Sequence, residues 1–290
     1  MAAMTADSLY SLFRSRRVGW VLAASGVVGL LIGVSTLVLH LQLDPLADVH
    51  AYYDAGARLN AGQPLYLQAA NTDDAAFYRY PPLLAVAFRP LALLPFDTAS
   101  LIWEGLLLAL FAATIVRMGP RSRWTWLVLA WLAAPIAWTL AIGQAQVAVT
   151  FLLALGSPLA VAAAAHLKVL PALAAVYWIG LRDWRSLGRF VAWTAGLGVL
   201  SLILEPTGTI AFLGFTDLAQ VGNVENRSLY AISPILWVAS TAVLAALALR
   251  YAPTRAGWAL AICLAVFASP RLLLYQVSTL QAAVRSRGRG

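Results

Sequence analysis

Residues 18–41, "VGWVLAASGVVGLLIGVSTLVLHL", contain no Asp, Glu, Lys or Arg. At a rise of about 1.5 Å per residue, such a stretch is long enough to cross about 30 Å of hydrocarbon as a helix. No water is present there to bond backbone N–H and C=O groups, so a spanning segment must satisfy them internally. Apolar segments recur at 98–117, 124–141, 146–156, 158–169, 171–181, 189–205, 232–250, 256–270 and 272–284. Hydrophobic residues make up 61% of the chain and charged residues 11%, against about 45–50% and 25% in a soluble domain. The expected fold is all-α: a polytopic transmembrane helical bundle of roughly 8–10 membrane segments, forming one integral-membrane domain over 1–290. Cys263 is the single cysteine, which excludes a disulfide or a cysteine-based metal site within one chain.

The net charge of +8 does not point to nucleic acid, because the arginines cluster between apolar segments as topology signals do. "RSRR" at 14–17 precedes the first apolar run, but the run is too long for a secretory signal and lacks a small-x-small cleavage site. It reads as an uncleaved first span. Segments 146–156, 158–169 and 171–181 reach only about 17 Å each, so either they are half-helices lining a cavity or 146–169 folds differently. The stretch 82–96, "PLLAVAFRPLALLPF", is short and broken by Arg89-Pro90 and Pro95. If it re-enters or lies in the interface, Arg14, Arg16, Arg17, Arg117, Arg121, Arg123, Arg182, Arg185, Arg189, Arg250, Arg255 and the "RSRGRG" tail share one side. The positive-inside bias selects that arrangement and a cytoplasmic N-terminus. Asp44, Asp48, Asp54, Asp73, Asp74, Asp97, Glu205, Asp217 and Glu225 then fall outside, on two loops, 42–97 and 206–231. No internal repeat is visible, which argues against an inverted-repeat transporter.

"DPLADVHAYYDAGARLNAG" carries helix start and stop signals, with Asp44 as the expected N-cap, Pro45 at N1 and Gly62 past the C-terminus. Val49, Tyr52, Tyr53, Gly56, Ala57 and Asn60 recur at helical spacing, and the tyrosines suggest a helix lying on the outer surface. Asp48 and Tyr52 are one turn apart. Two roles for Asp48 are open. It complements the helix dipole, or it is a carboxylate beside a membrane-level cavity that takes a proton from a hydroxyl. Tyr78, Arg79 and Tyr80 likewise either begin a helix in an aromatic belt or wall a sugar or phosphate site.

The spacing D-x3-YY-x-A-x4-AG-x-PLY from Asp48 and "YPPLLAVAFRPLALLP" from Tyr80 resemble the pattern of glycosyltransferase family 87, in the GT-C superfamily. "GQAQ" at 143–146, "HLKVLPAL" at 166–173, "RDWRSL", "NRSLYAISP" at 226–234 and "SPRLLLYQ" at 269–276 follow in the family's order. The resemblance implies a GT-C-like bundle in a bacterial plasma membrane. It also implies hexosyl transfer, mannosyltransferase-like, from a polyprenyl-phosphate sugar to an outer-leaflet glycolipid or glycan. The catalytic acid of the first outer loop falls on Asp48, which would deprotonate the acceptor hydroxyl in one inverting displacement. A lipid monophosphate donor needs no metal, and no other cofactor is implied. The chain departs from the family pattern by the compressed region after Leu155 and by Arg271 and Tyr275 standing where a histidine is expected.

Candidate substrate contacts are Tyr52, Tyr80, Lys168, Arg227 and Arg271. Lys168 is the chain's single lysine; it either snorkels to an interface or faces a cavity to meet the donor phosphate. Arg227 and Arg271 are cations in otherwise acidic outer loops and suit the same phosphate. Glu104, inside a span, is expected near its outer end and solvated. No HxxxH or carboxylate–His spacing suggests a metal. The rival classes are a non-enzymatic polyprenyl-lipid-binding protein and an inactive, shortened paralogue acting as a complex partner.

Overall fold

The computed structural model describes residues 16–66, 78–120, 122–214 and 225–284, and among them the secondary structure is helical throughout. The helices are α1 (Arg16–Leu43), α2 (Ala47–Asn60), α3 (Pro82–Phe88), α4 (Phe96–Met118), α5 (Arg123–Trp131), α6 (Ala133–Ala141), α7 (Gln146–Leu155), α8 (Pro158–Leu167), α9 (Val176–Leu181), α10 (Trp184–Leu204), α11 (Pro206–Gly214), α12 (Pro234–Tyr251) and α13 (Gly257–Phe267). Among the described residues, α1, α4, α10 and α12 are long and apolar enough to cross a membrane, with a fifth span if α5 and α6 count together. Asp7, Arg14, Asp73, Asp74, Arg121, Asp217 and the tail from 285 lie outside the described residues.

The expected span 124–141 is not one straight helix. α5 and α6 meet at 53°, because Pro135 has no N–H for the carbonyl one turn back and its ring crowds that carbonyl. α1 packs into this elbow through small residues. A Cβ on Gly33 would come within 2.6 Å of the Ala133 Cβ, and one on Gly29 would strike the Ala130 carbonyl. Gly29 and Gly33 form a G-x-x-x-G step, which lets helix backbones approach closely where lipid supplies no hydrophobic drive.

The three short segments behave as short helices. α7 and α8 are ten residues each, about 15 Å, and turn back on each other through Gly156 (φ 62°) and the Ser157 cap. A 3₁₀ turn over Leu170–Ala175 leads into α9. The segment 272–284, expected as another apolar membrane helix, is instead a 3₁₀ helix over Leu274–Ala283. With three residues per turn, Tyr275, Ser278 and Gln281 stack along one edge, and that edge is buried. It packs against α6, α7 and α13. The stretch 206–231, expected as an outer loop, begins as helix, α11, directly after Glu205.

The first-loop helix departs from expectation at its start. α2 keeps one face outward, with His50, Asp54 and Asn60 exposed, while Val49, Ala51, Tyr52, Ala55, Gly56 and Leu59 are buried, in one core with Tyr78, Tyr80, Phe88 and Trp103. Tyr53 and Asn60 sit at its edge, bonding the carbonyls of Leu94 (2.8 Å) and Arg89 (2.8 Å). Asp44 is not its cap. The Asp44 carboxylate turns back to His40 Nδ1 at 2.7 Å, and Leu46 holds the N-cap position in a left-handed conformation without a side-chain bond. The C-terminus ends as expected. Gly62 (φ 68°) follows it, with Gly62 N–H to Leu59 O at 3.2 Å and Gln63 N–H to Arg58 O at 2.9 Å.

α3 is seven residues long and starts at the double proline, so 82–96 does not cross as a helix. The Tyr78 hydroxyl donates to Pro81 O (2.9 Å) and accepts from Ala85 N–H (2.9 Å), which makes Tyr78 a helix-start residue. α2 and α3 touch backbone to backbone at Gly56, where an added Cβ would lie 2.8 Å from the Phe88 carbonyl group. Gly56→Ala is therefore expected to cost about 1–3 kcal/mol through overpacking and to lower the thermal midpoint in detergent. Gly105→Ala, which meets nothing within 4 Å, is the neutral control.

Candidate functional site

The site begins where α2 docks on α6. The first turn of a helix has unbonded N–H groups and the last turn has unbonded carbonyls. Here they meet: Leu46 N–H bonds Ala141 O and Asp48 N–H bonds Ile142 O, both at 3.1 Å. Backbone donors thus satisfied need no side-chain cap, so the Asp48 carboxylate is left for other partners.

Gly143 (φ 67°) then turns the chain away from α6. A Cβ there would collide with Val49 and approach Glu104 Oε1 to 2.6 Å, while Trp103 Nε1 holds the Gly143 carbonyl at 2.8 Å. Glu104 is half-buried, less solvated than expected: its Oε1 is buried beneath this turn, with no hydrogen-bond partner among the described residues. The turn delivers Gln144, fully buried, to the face of α2.

Around Asp48 the bonds are short. The Tyr80 hydroxyl donates to Asp48 Oδ1 at 2.9 Å, and that of Tyr52 lies at 3.5 Å. Tyr52 donates to Gln144 Oε1 at 2.6 Å, and Gln144 Nε2 donates to Tyr80 Oη at 2.9 Å. Opposite them stands Lys168. It occupies the break after α8, where its extended backbone (φ −148°) ends the helix. Its ammonium lies 5.3 Å from the centre of the Tyr80 ring and 4.9 Å from that of Tyr275, and donates to Gln146 Oε1 at 2.7 Å. Gln146 in turn reaches Thr279 Oγ1 at 2.5 Å.

The electrostatics follow from burial. Desolvation pushes the Asp48 carboxyl above its ordinary value, opposed first by the Lys168 charge, then by the Tyr80 hydrogen bond and Arg79. Desolvation pulls Lys168 down to about 7, with Asp48 opposing and Arg79 adding to the fall. Arg79 is itself lowered by burial and by Arg271. The phenols of Tyr52 and Tyr80 are raised, again first by burial, so they remain donors. Lys168 and Arg79 therefore both bear on the one carboxylate, and Arg271 bears on Arg79 and Tyr275.

Of the residues singled out from the sequence, Asp48, Tyr52, Tyr80 and Lys168 come together, and Arg271 joins through its field on Arg79 and Tyr275. Arg227 enters through its backbone. Its N–H bonds Leu272 O at 2.8 Å and its side chain is exposed. The neighbouring Asn226 clamps the same strand of chain, bonding Pro270 O and Leu272 N at 3.0 Å each. Not anticipated as site residues were Gln144, Gln146, Tyr275 and Thr279. The signal for the glutamines was present, since "GQAQ" sets two amides between apolar segments. Among the described residues no three His, Cys, Asp or Glu side chains gather as a metal would require.

The family model described as glycosyltransferase family 87 matches residues 77–284. The chain belongs to glycosyltransferase family 87. Two relatives are each named polyprenol-phosphate-mannose-dependent alpha-(1-2)-phosphatidylinositol pentamannoside mannosyltransferase. The one from Mycolicibacterium smegmatis is 31% identical over 191 residues, 59% of this chain and 46% of its own. The one from Mycobacterium tuberculosis is 32% identical over 245 residues, 70% and 56% respectively. The chain spans about half the length of these curated relatives. No solved structure matches it. Within this family-87 chain the glutamine turn, Tyr80, Lys168 and Tyr275 lie inside the matched residues, and Asp48 lies before them.

Because the folded-state pKa of Asp48 is raised, the folded protein holds this proton to a higher pH than the unfolded chain does. Its contribution to stability is therefore lost as pH rises through that value. Lys168→Met removes the largest influence keeping Asp48 ionised. The expected outcome is a loss of stability with rising pH that extends further upward than in the wild type, read by thermal unfolding in detergent between about pH 4 and 8.

Proposed function

We propose that this protein is a membrane hexosyltransferase that moves mannose from a polyprenyl-phosphate donor to an outer-leaflet glycolipid or glycan. The observation carrying this reading is a carboxylate, Asp48, bonded by Tyr80 and set in the field of Lys168 and Arg79, with Lys168 held over the Tyr80 and Tyr275 rings. A transferase using a lipid monophosphate needs both parts: a base for the acceptor hydroxyl, and positive charge for the departing phosphate. Membership of family 87 and the donor named for both relatives support it.

In this mechanism Tyr80 occupies Asp48 Oδ1 and leaves the other carboxylate oxygen for the acceptor. The acceptor oxygen attacks the anomeric carbon as the bond from that carbon to the phosphate oxygen breaks. The hydroxyl proton passes to Asp48, the polyprenyl phosphate leaves as an anion, and the single displacement inverts the carbon. Lys168, Arg79 and Arg271 hold the leaving phosphate through charge-assisted bonds, which supplies the counter-charge without invoking a metal or other cofactor. The rings of Tyr80 and Tyr275, which flank Lys168, pack against the sugar, with Tyr52 supporting Tyr80 from behind. The site opens to the outer side of a bacterial plasma membrane, the N-terminus being cytoplasmic, a reading the arginine distribution supports. The relatives' names make phosphatidylinositol mannosides the first acceptors to try.

Asp48→Asn keeps size and hydrogen bonding but removes the base. In proteoliposomes given polyprenyl-phosphate-mannose and phosphatidylinositol mannosides, transfer is expected to fall about 10²–10⁴-fold with donor binding retained. Undiminished transfer would overturn the assignment of Asp48. Donor-dependent stabilisation with no turnover in the wild type would favour a polyprenyl-lipid-binding protein instead.

A further inference from the structure

The hydrogen bonds around Gln144 have only one consistent direction, and that direction is set by a backbone group. Ala145 N–H donates to Tyr52 Oη at 3.2 Å. An amide N–H cannot become an acceptor, so Tyr52 must send its own proton elsewhere. The near acceptor is Gln144 Oε1 at 2.6 Å, against 3.5 Å to Asp48. With its oxygen so committed, Gln144 turns its NH₂ towards Tyr80 Oη at 2.9 Å. Tyr80, now receiving a hydrogen, directs its proton to Asp48 Oδ1 at 2.9 Å. The opposite amide orientation fails. It would set an NH₂ against a Tyr52 oxygen that already accepts from Ala145, leave the Tyr52 proton to Tyr80 or to the 3.5 Å contact with Asp48, and put the amide oxygen 2.9 Å from Tyr80 Oη in competition with Asp48. The bonds among Ala145, Tyr52, Gln144 and Tyr80 are buried, where linked hydrogen bonds reinforce one another.

We propose that Gln144 is a positioning residue: it transmits the polarity of the Ala145 amide through Tyr52 to Tyr80, so that the Tyr80 proton is held on one oxygen of Asp48 and the other oxygen is the base. The proposal rests on the reading of Asp48 as the base. It gives Gln144 a role distinct from filling space. The amide neither touches a reacting atom nor carries charge, and it acts only through the orientation of a neighbouring phenol. It also explains why a neutral amide sits in the core at this point. An acid there would accept from both tyrosines and strip Asp48 of its donor, whereas an apolar residue would leave the Tyr80 hydroxyl free to rotate. The other groups bearing on Asp48 are Tyr52 on its own helix, Arg79 and Tyr80 ahead of α3, Lys168 after α8 and Tyr275 on the 3₁₀ helix. They remain in place when Gln144 alone is changed.

The test titrates Asp48 directly, by infrared spectroscopy of its carboxylate band in proteoliposomes of the full chain, with the Asp48→Asn protein as the subtracted reference. Tyr80→Phe deletes the donor and is expected to raise the Asp48 midpoint by about one pH unit. Gln144→Met, close in size and uncharged, also frees the Tyr52 proton towards Asp48 at 3.5 Å. It is therefore made in a Tyr52→Phe background, where it is expected to raise the midpoint in the same direction by a smaller amount. Added to Tyr80→Phe in that background, it is expected to have no further effect, because its influence passes through the missing hydroxyl. An unchanged midpoint on adding Gln144→Met there, or additive shifts when it is combined with Tyr80→Phe, would overturn the proposal. Gln144→Leu gives the same comparison if the Met protein does not fold. In the transfer assay Gln144→Met is expected to lower kcat severalfold with the donor KM unchanged. The base reading is decided separately, by the loss or retention of transfer in Asp48→Asn, so the two ideas can fail independently.

Discussion

The site hangs on two backbone hydrogen bonds between helix ends. Leu46 and Asp48 at the start of α2 donate to Ala141 and Ile142 at the end of α6. Each end leaves groups that a helix cannot satisfy by itself, and in an apolar surrounding an unbonded one is costly. Joining them removes both costs at once and sets the first-loop helix against the glutamine turn. The bend at Pro135 and the small-residue face of α1 determine where α6 ends, and so where Asp48 lies.

That docking buries one face of the first-loop helix. The fully buried large side chains include Val49, Tyr52, Tyr78, Leu84 and Phe88 from the polar first loop. By contrast, Leu31, Val34, Ile203 and Ile235 on the long helices stay exposed, as suits faces turned to lipid. Polar groups are thus gathered in the interior and apolar ones on the periphery. Inside, unpaired charge is expensive, which explains why Asp48 is answered by Lys168 and by phenol hydroxyls. It also explains why both glutamines of the turn are bonded.

Much of the helix plan was legible in the residues. Apolar length marked α1 and α4, Gly62 marked the end of α2, and the double proline marked the start of α3. The misplaced features share a cause, in that local signals lost to a distant partner. Asp44 had the chemistry of a cap, but the neighbouring His40 claimed it and α6 supplied bonds for the helix end. Glu104 looked like a solvated acid near a helix end until the Gly143 turn closed over it. The 3₁₀ helix at 274–283 has an α-like composition, yet packing against α6, α7 and α13 buries its threefold polar edge.

The sequence by itself determined that this is a helical membrane protein, which acid in the first loop has partners one turn away, and which family pattern it follows. Those properties depend on hydropathy, spacing and residue type, all local quantities. Only the tertiary structure decided that Gln144 and Tyr80, 64 positions apart, meet at Asp48, and that Lys168 faces them between two tyrosine rings. Hydrogen-bond direction and charge pairing depend on what lies across a packed interface, and that information exists only once the helices have come together.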